Sequence, residues 1–218
     1  MAAAANRYAI RICPFIMKVA AIILAAGNSS RFGQPKQLVR LNGQALVRQI
    51  ACITLEAKCS PVFVVVGEEE AAIRAELNGL AVQIIPNADW REGIASSIRA
   101  GIQAAMESEA LILLASDQPL VRPVTLAHLI ELHQTSNKRI VASGYADTVG
   151  IPALFHRTCF PQLLALRGDH GAKGIILSRP NEVATYDFPE GVMDLDTPSD
   201  LQLFPSKKFS EGIEDAAR

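Results

Sequence analysis

A segment rich in small residues and bases follows the first strongly apolar run of the sequence. Residues 24–36 read LAAGNSSRFGQPK. Gly27 and its small neighbours allow backbone N–H groups to approach an anion closely, and Arg31 and Lys36 add two cations. This combination is typical of a loop that binds a phosphorylated ligand. An ordinary glycine-rich loop with surface bases is the alternative interpretation.

The segment does not match the two common phosphate-binding patterns. The P-loop places four residues between two glycines and a lysine directly after the second. Here five residues separate Gly27 from Gly33, and Gln34 follows. The G-x-G-x-x-G pattern is also absent from these residues. Any phosphate binding here therefore uses a different arrangement.

Carboxylates stand at two other places in the sequence. Asp117 follows the apolar run 111–115, and a buried carboxylate at a strand end is costly unless it is paired or bound to a metal. Asp194 and Asp196 belong to the stretch DLDTPSD. A helix start capped by Asp196 or Thr197 is an equally simple explanation of that stretch.

Apolar runs and helical stretches alternate along the chain. Continuous apolar runs predict buried strands, and apolar residues at helical spacing predict the segments between them. The predicted strands are 19–24, 62–66, 82–85, 111–115, 139–143 and 183–188, and the predicted helices are 44–58, 68–77, 92–107, 123–134, 158–166 and 171–178. The alternation predicts a three-layer α/β/α, Rossmann-like domain with a mostly parallel sheet. In such sheets the ligand binds beyond the carboxyl ends of the strands.

Composition limits the classes of function. The 218 residues are 50% hydrophobic and 20% charged, which excludes global disorder. The formal net charge is −1, which argues against a nucleic-acid partner or a polybasic membrane binder. The longest apolar run is far shorter than the roughly 20 residues that span a bilayer.

The chain is expected to contain one folded domain. We predict an N-terminal extension or a misassigned start over 1–17, a single domain over 18–204 and a polar tail over 205–218. Arg7 and Arg11 interrupt the apolar part of the first segment, so it does not resemble a signal peptide. The four cysteines show no metal-binding spacing, which favours reduced thiols and a cytoplasmic location.

The loop L-A-A-G-x-S-x-R-F-G-x-P-K resembles the signature of nucleotidyltransferases with a GT-A-like fold. Its Ala-Ala-Gly and Phe-Gly-x-Pro-Lys form is most similar to molybdenum cofactor cytidylyltransferases, whereas guanylyl-transferring relatives more often carry Ala-Gly-Gly and Met-Gly. The resemblance implies that the loop holds a triphosphate and that Arg31 and Lys36 are catalytic, since they stabilise charge during transfer. The residues implied to contact the nucleotide here are Ala25, Ala26, Gly27, Ser29, Arg31 and Lys36.

Other segments resemble the same family in the same order. The stretch N-x-x-W-x-x-G-x-x-S is similar to its base-recognition loop, and G-x-P-x-x-F and L-x-G-D-x-G-A-K are similar to its acceptor-side segments. Trp90 in the first stretch could instead be a core residue. The resemblance implies nucleotide binding by Gly67, Gly93, Ser97 (or Ser96) and Asp117, acceptor binding by Gly150, Pro152, Asp169 and Gly171, and Mg²⁺ binding by Asp117 and Asp196, with Asp194 as an alternative to Asp196.

The resemblance implies transfer of CMP from CTP to the phosphate of a molybdopterin-type cofactor, with release of pyrophosphate. Ile151 and Lys173 depart from the residues that relatives often carry, which leaves the acceptor open. One alternative is a guanylyltransferase of the same pathway, or a nucleotidyltransferase for another phosphorylated small molecule. Another is a non-catalytic protein that escorts the cofactor to a molybdenum hydroxylase.

Overall fold

The structure, a computed structural model, describes residues 18–27, 32–193, 195 and 200. Its strands are β1 (Val19–Ala25), β2 (Arg40–Leu41), β3 (Gln44–Ala45), β4 (Val62–Val66), β5 (Gln83–Pro86), β6 (Ala110–Ala115), β7 (Ile140–Tyr145), β8 (Thr148–His156) and β9 (Val183–Asp187). Its α-helices are α1 (Leu46–Glu56), α2 (Glu70–Glu76), α3 (Ile94–Ala104), α4 (Pro123–Ser136), α5 (Phe160–Leu164) and α6 (Lys173–Leu177).

One sheet of seven strands organises the molecule, in the order β5-β4-β1-β6-β8-β7-β9. Every neighbouring pair is parallel except the two pairs that contain β8, which runs antiparallel to β6 and to β7. The small strands β2 and β3 form a separate antiparallel pair. The predicted mostly parallel α/β fold is confirmed.

Helices cover both faces of this sheet. Successive residues of β1 point to opposite faces, so Ala21 packs in one core cluster and Ile22 in the other. Helices α1, α2 and α4 cover the first face, and α3, α5 and α6 cover the second. This double cover explains why β1 and β4 are buried along their whole lengths and read as continuous apolar runs.

A third, smaller apolar cluster lies next to the carboxyl end of the sheet. Its buried members are Phe32, Val39, Leu41, Leu46 and Leu195. Four of them come from the chain between β1 and the first residue of α1, and Leu195 lies near the end of the described chain. This cluster therefore packs two remote segments together beside the strand ends.

The structure corrects several predicted boundaries. The sequence analysis predicts no strand over β8. With nine residues, β8 is the longest strand among the described residues. The helix predicted over 92–107 is interrupted: a 3₁₀ turn covers Trp90–Glu92, Gly93 has φ +122°, and α3 begins after it. The helix predicted over 158–166 likewise begins as a 3₁₀ turn over Arg157–Cys159.

Within the described residues, every helix is too short or too polar to cross a membrane.

Candidate active site

The carboxyl ends of three parallel strands, β1, β4 and β6, lie together at one edge of the sheet. Ala25 pairs with Val66, and Leu24 pairs with Ala115, so β1, β4 and β6 end at the same level. The chain continues from these ends into Gly27, Gly67 and Asp117. Residues predicted to bind the nucleotide from three separate parts of the sequence are therefore neighbours, as the parallel sheet requires.

A lysine and a carboxylate face each other at this edge. The distance from Lys36 Nζ to Asp117 Oδ2 is 3.6 Å, and the two side chains are 14% and 29% exposed. Lys36 begins a 3₁₀ turn over Lys36–Leu38, and Asp117 is the second residue after β6. Both groups therefore remain accessible to a ligand while lying largely below the surface.

A buried glutamine that the sequence reasoning missed is attached to the glycine segment. Gln37 is only 3% exposed, and its Nε2 donates to Ala25 O at 2.9 Å and to Gly27 O at 2.8 Å. The signal in the sequence is a glutamine directly after Lys36 and before the apolar pair Leu38 and Val39. Buried polar groups are usually hydrogen bonded, so such a glutamine is a candidate structural link.

Four predicted site residues lie outside the described residues. They are Ser29, Arg31, Asp194 and Asp196. Leu195 lies between Asp194 and Asp196 in the sequence and belongs to the described residues. It is fully buried, and its N–H donates to the backbone carbonyl oxygen of Asp117 at 3.2 Å. The chain between the two candidate ligands is therefore attached to the strand end that carries Asp117.

Trp90 forms one wall of an open cleft of about 310 Å³ at this edge. A Cβ on Gly67 would lie 2.9 Å from Trp90 Cγ and 3.2 Å from Ala26 O, so the absence of a side chain lets the indole pack on the strand end. The Arg91 guanidinium lies 4.2 Å from the centre of the Trp90 ring, and it pairs with Glu68 at 3.5 Å. The cleft is lined by residues 25–27, Pro35, Gln37, Glu68, Glu69 and Trp90.

The serines that follow Gly93 are buried at the start of α3. Asn87 Nδ2 donates to Ser96 Oγ at 2.9 Å and to Ser97 Oγ at 3.1 Å. Ser96 Oγ in turn donates to Gly93 O at 2.8 Å. The Ser96 hydroxyl thus connects the end of β5 to the turn before α3. Contact between Ser97 and a nucleotide stays a prediction.

Gly93 brings the predicted nucleotide and acceptor segments into contact. A Cβ at Gly93 would lie 2.5 Å from Gly168 O and would overlap Asp169 Oδ1, and its φ of +122° favours glycine as well. The Ala95 N–H donates to Gly168 O at 3.1 Å. Gly171 lies close by, since a Cβ there would be 3.8 Å from Ile94 Cγ2.

A salt bridge fastens the same two segments. The two terminal guanidinium nitrogens of Arg99 donate to the Glu92 carboxylate, at 2.8 and 2.6 Å, and Arg99 Nη1 also donates to Leu166 O at 2.8 Å. Glu92 Oε1 accepts the Gly168 N–H at 3.1 Å. The hydrogen bond from Arg99, followed by that from Gly168, lowers the pKa of Glu92 to about 2.

The other predicted acceptor residues lie in an irregular part of β8. Pairing passes from Ala142 with Ala153 to Ser143 with Gly150, so Ile151 and Pro152 form a bulge. Gln118 Nε2 donates to Ile151 O at 3.0 Å, and this link places the bulge beside Asp117. A Cβ on Gly150 would overlap Tyr145 Oη, so the glycine accommodates the tyrosine.

Asp117 suits a divalent metal in the chemistry of its donor atoms. Carboxylate oxygens are preferred ligands of Mg²⁺, which takes one or two of them together with phosphate oxygens and water. In residues 18–27, 32–193, 195 and 200, no group of three His, Cys, Asp or Glu side chains could hold a metal ion. A metal at Asp117 would therefore take its remaining ligands from substrate, water or the segment next to Leu195.

Comparison with known proteins places this chain in a family. The model of the MobA-like NTP transferase domain matches residues 21–183. Nicotine blue oxidoreductase from Paenarthrobacter nicotinovorans is 29% identical over 74% of this chain and 83% of its own length. A probable molybdenum cofactor guanylyltransferase from Pelotomaculum thermopropionicum is 24% identical over 85% of this chain and 91% of its own.

A solved structure agrees in fold. Rv0371c from Mycobacterium tuberculosis is 28% identical and superposes with a TM-score of 0.72 over 85% of this chain and 97% of its own. A second structure of Rv0371c, 26% identical with a TM-score of 0.70 over 86% and 97%, is a complex with manganese. The chain belongs to the MobA-like NTP transferase family, and its family and fold make it a nucleotidyltransferase.

Proposed function

We propose that this protein transfers CMP from CTP to the terminal phosphate of a molybdopterin-type cofactor. A phosphate oxygen of the acceptor forms a bond to the α-phosphorus of CTP, and the bond from that phosphorus to the oxygen bridging to the β-phosphate breaks. Pyrophosphate leaves with the electron pair of that bond. The attacking oxygen already carries negative charge, so the reaction needs no general base.

The observation that carries this proposal is the pairing of Lys36 with Asp117 at the exits of β1 and β6. Nucleotidyl transfer depends mainly on positioning and on stabilising charge at the phosphates. Lys36 supplies a cation beside the segment Ala25 to Gly27, where backbone groups can approach an anion. The 3.6 Å separation means that one ligand can touch both side chains.

Asp117 and Asp196 would hold Mg²⁺, with Asp194 as the alternative second ligand. Bound Mg²⁺ would draw charge from the phosphate oxygens and hold them in line for transfer. The hydrogen bond from Leu195 N–H to Asp117 O supports this assignment, because it ties the segment between both candidates to the first ligand. The manganese complex of Rv0371c supports a divalent metal in a related protein.

We divide the remaining contacts between a nucleotide side and an acceptor side of the site. We assign Ser29 and Arg31 to the triphosphate with Lys36, and Gly67, Gly93 and Ser97 to the nucleoside part. We assign the acceptor to Gly150, Pro152, Asp169 and Gly171, which adjoin the nucleotide side through Gln118 and Gly93. Such a reaction would occur in the cytoplasm and deliver its product to a molybdenum hydroxylase.

Guanylyl transfer is the second candidate, and the name of the Pelotomaculum relative favours it. The Ala-Ala-Gly form of residues 25–27 and Pro35 favour cytidine by resemblance. Transfer to another phosphorylated small molecule would use the same nucleotide side with a different acceptor. A non-catalytic escort of the cofactor would not need Lys36 and Asp117 to meet at a triphosphate site.

Thermal unfolding with Mg²⁺ and each of CTP, GTP, ATP and UTP tests the nucleotide assignment. A ligand at about 100 times its dissociation constant adds about 2.7 kcal/mol, which raises Tm by several degrees for a domain of this size. We expect a shift with CTP that needs Mg²⁺. A shift with GTP alone would establish the guanylyl branch, and no shift with any nucleotide would favour the escort protein.

A further inference from the structure

We propose that Gln37 is a positioning residue that sets the direction of the triphosphate-binding segment at the end of β1. This inference rests on the proposed function, because it takes the segment at Ala25 to Gly27 as the place where the triphosphate binds. Gln37 itself is not proposed to touch the reacting atoms. It acts through the two backbone carbonyls that it holds.

The contacts that carry the inference join one side-chain amide to two alternate carbonyls. Gln37 Nε2 lies 2.9 Å from Ala25 O and 2.8 Å from Gly27 O, and an amide NH₂ group has two hydrogens to donate. Both contacts are short enough to be good hydrogen bonds. In the sequence, Gln37 lies 12 residues after Ala25 and 10 residues after Gly27.

These hydrogen bonds fix the orientation of two peptide groups. In a trans peptide the N–H points away from the C=O. With the carbonyl oxygen of Ala25 directed at Gln37, the amide hydrogen of the same peptide group, which Ala26 carries, points to the opposite side. A turn with its amide hydrogens on one side can bind an anion.

Gln37 is itself held rigidly. Leu38 N donates to Pro35 O and Val39 N donates to Lys36 O, each at 3.0 Å, which closes the 3₁₀ turn that carries the glutamine. Leu46 N donates to Val39 O at 2.9 Å, which ties this turn to the start of α1. Because Val39 also packs in the third apolar cluster, the amide is presented from a fixed support.

The geometry assigns preorganisation to Gln37. When a flexible segment adopts its binding orientation only part of the time, its apparent affinity for the ligand falls in proportion to the fraction of time spent in that orientation. The glutamine is buried, so replacing it with an apolar side chain of similar length removes the two hydrogen bonds without emptying the space. The triphosphate should then bind more weakly, while residues that contact the base keep their positions.

The test measures binding of inorganic triphosphate and CTP, each with Mg²⁺, by calorimetry on the full chain. For Gln37→Met we expect about tenfold weaker binding of both ligands, which corresponds to the segment holding its direction about a tenth of the time. In turnover, KM for the nucleotide should rise by about the same factor with kcat nearly unchanged, because ground-state and transition-state binding weaken together.

Two further variants separate this role from a loss of stability. Thr54→Val removes another buried hydrogen bond, from Thr54 Oγ1 to Ile50 O at 2.6 Å inside α1, and should leave triphosphate affinity within twofold. Gln37→Glu keeps the size of the side chain but presents acceptor oxygens to the two carbonyls. It should weaken triphosphate binding more than Gln37→Met does.

The outcomes distinguish this inference from the proposed function. Wild-type protein that binds neither ligand contradicts the proposed triphosphate site. Wild-type binding together with unchanged affinity in Gln37→Met or Gln37→Glu overturns only the role of Gln37. If Thr54→Val weakened triphosphate binding as much as Gln37→Met does, the role of Gln37 would also be overturned. The loss of affinity would then reflect lower stability of the protein rather than the orientation of the segment Ala25 to Gly27.

Discussion

The two halves of the sheet position their site residues by different means. In the half formed by β5, β4, β1 and β6, all strands are parallel, and Gly27, Gly67 and Asp117 each come within two residues of a strand end. In the half formed by β8, β7 and β9, the antiparallel β8 enters at this edge through a bulge at Ile151 and Pro152. Strand direction therefore brings these three residues together, whereas the residues of the second half depend on local contacts.

Those local contacts come from the first half. Gln118, immediately after Asp117, holds the bulge through Ile151 O. Glu92 and Arg99 hold the segment 166–168, and Gly93 leaves room for Gly168 and Asp169. The segments of the proposed acceptor side are thus held by contacts from the proposed nucleotide side. A substitution at the junction between them should therefore disturb the proposed acceptor side first.

The largest effect should follow from Asp117→Asn. Loss of the carboxylate removes the proposed metal ligand and the partner of Lys36, and we expect pyrophosphate release to fall by about 100-fold or more, roughly 2.7 kcal/mol in the barrier. Glu131→Gln makes the same change of charge on the exposed side of α4 and should leave the rate unchanged. Retention of more than a tenth of the activity by Asp117→Asn would contradict its assignment.

Gly93→Ala should break the junction between the halves. The new Cβ would meet Gly168 O and Asp169, and the residue would have to keep φ near +122°. We expect a loss of about 2 kcal/mol in the free energy of unfolding, measured with urea. Gly174→Ala, in α6 with no neighbouring atom within 4 Å of its Cβ, should be neutral or slightly stabilising. Equal effects of the two substitutions would show that the close approach at Gly93 is not needed.

The salt bridge at the junction predicts a dependence of stability on pH. Because Glu92 has its pKa lowered from 4.5 to about 2 by Arg99 and Gly168, its stabilising contribution is complete above pH 4.5. That contribution is lost as the pH falls from about 4.5 towards 2. The free energy of unfolding of wild type and of Glu92→Gln would be measured at several pH values. The difference between the two should shrink as the pH falls through this range.

A matched variant checks that the junction, rather than any ion pair, gives this behaviour. Glu70→Gln removes an exposed ion pair with Arg74 within α2. At neutral pH it should change the free energy of unfolding less than Glu92→Gln does. A difference between wild type and Glu92→Gln that stays constant from pH 5 to pH 2 would contradict the proposed linkage.

The smallest effect should come from Gln118→Met. Loss of the hydrogen bond to Ile151 O should cost about 1 kcal/mol locally. We expect faster amide hydrogen exchange around the bulge at Ile151, with exchange in β1 and β4 unchanged. Uniform acceleration across the sheet would mean that Gln118 supports the whole fold rather than the acceptor side.

The difference between the halves also explains what the sequence could predict. Buried parallel strands such as β1 and β4 are continuous apolar runs, and their ends carry the site, so Gly27, Gly67 and Asp117 could be brought together from sequence. Strand β8 was missed because Gly150 and Pro152 interrupt its pattern, and proline and glycine ordinarily argue against a strand interior. Its antiparallel direction follows from contacts between remote segments, which local patterns do not contain.

Side-chain links were the other omission. Gln37, Gln118 and Arg99 act by reaching backbone carbonyls far along the chain, at Ala25, Ile151 and Leu166. A sequence shows that a polar residue stands among apolar ones but not which carbonyl it will meet. The roles predicted for Arg31 and Asp196 concern residues outside those that the structure describes, and they stay predictions.

Product analysis tests the central claim most directly. The purified protein would be incubated with the molybdopterin-type cofactor, Mg²⁺ and each of the four nucleoside triphosphates in turn, and both pyrophosphate and the mass of the cofactor product would be measured. We predict pyrophosphate release and a gain of one CMP unit with CTP alone. Addition of GMP instead, or an unchanged cofactor with every nucleotide, would contradict cytidylyl transfer.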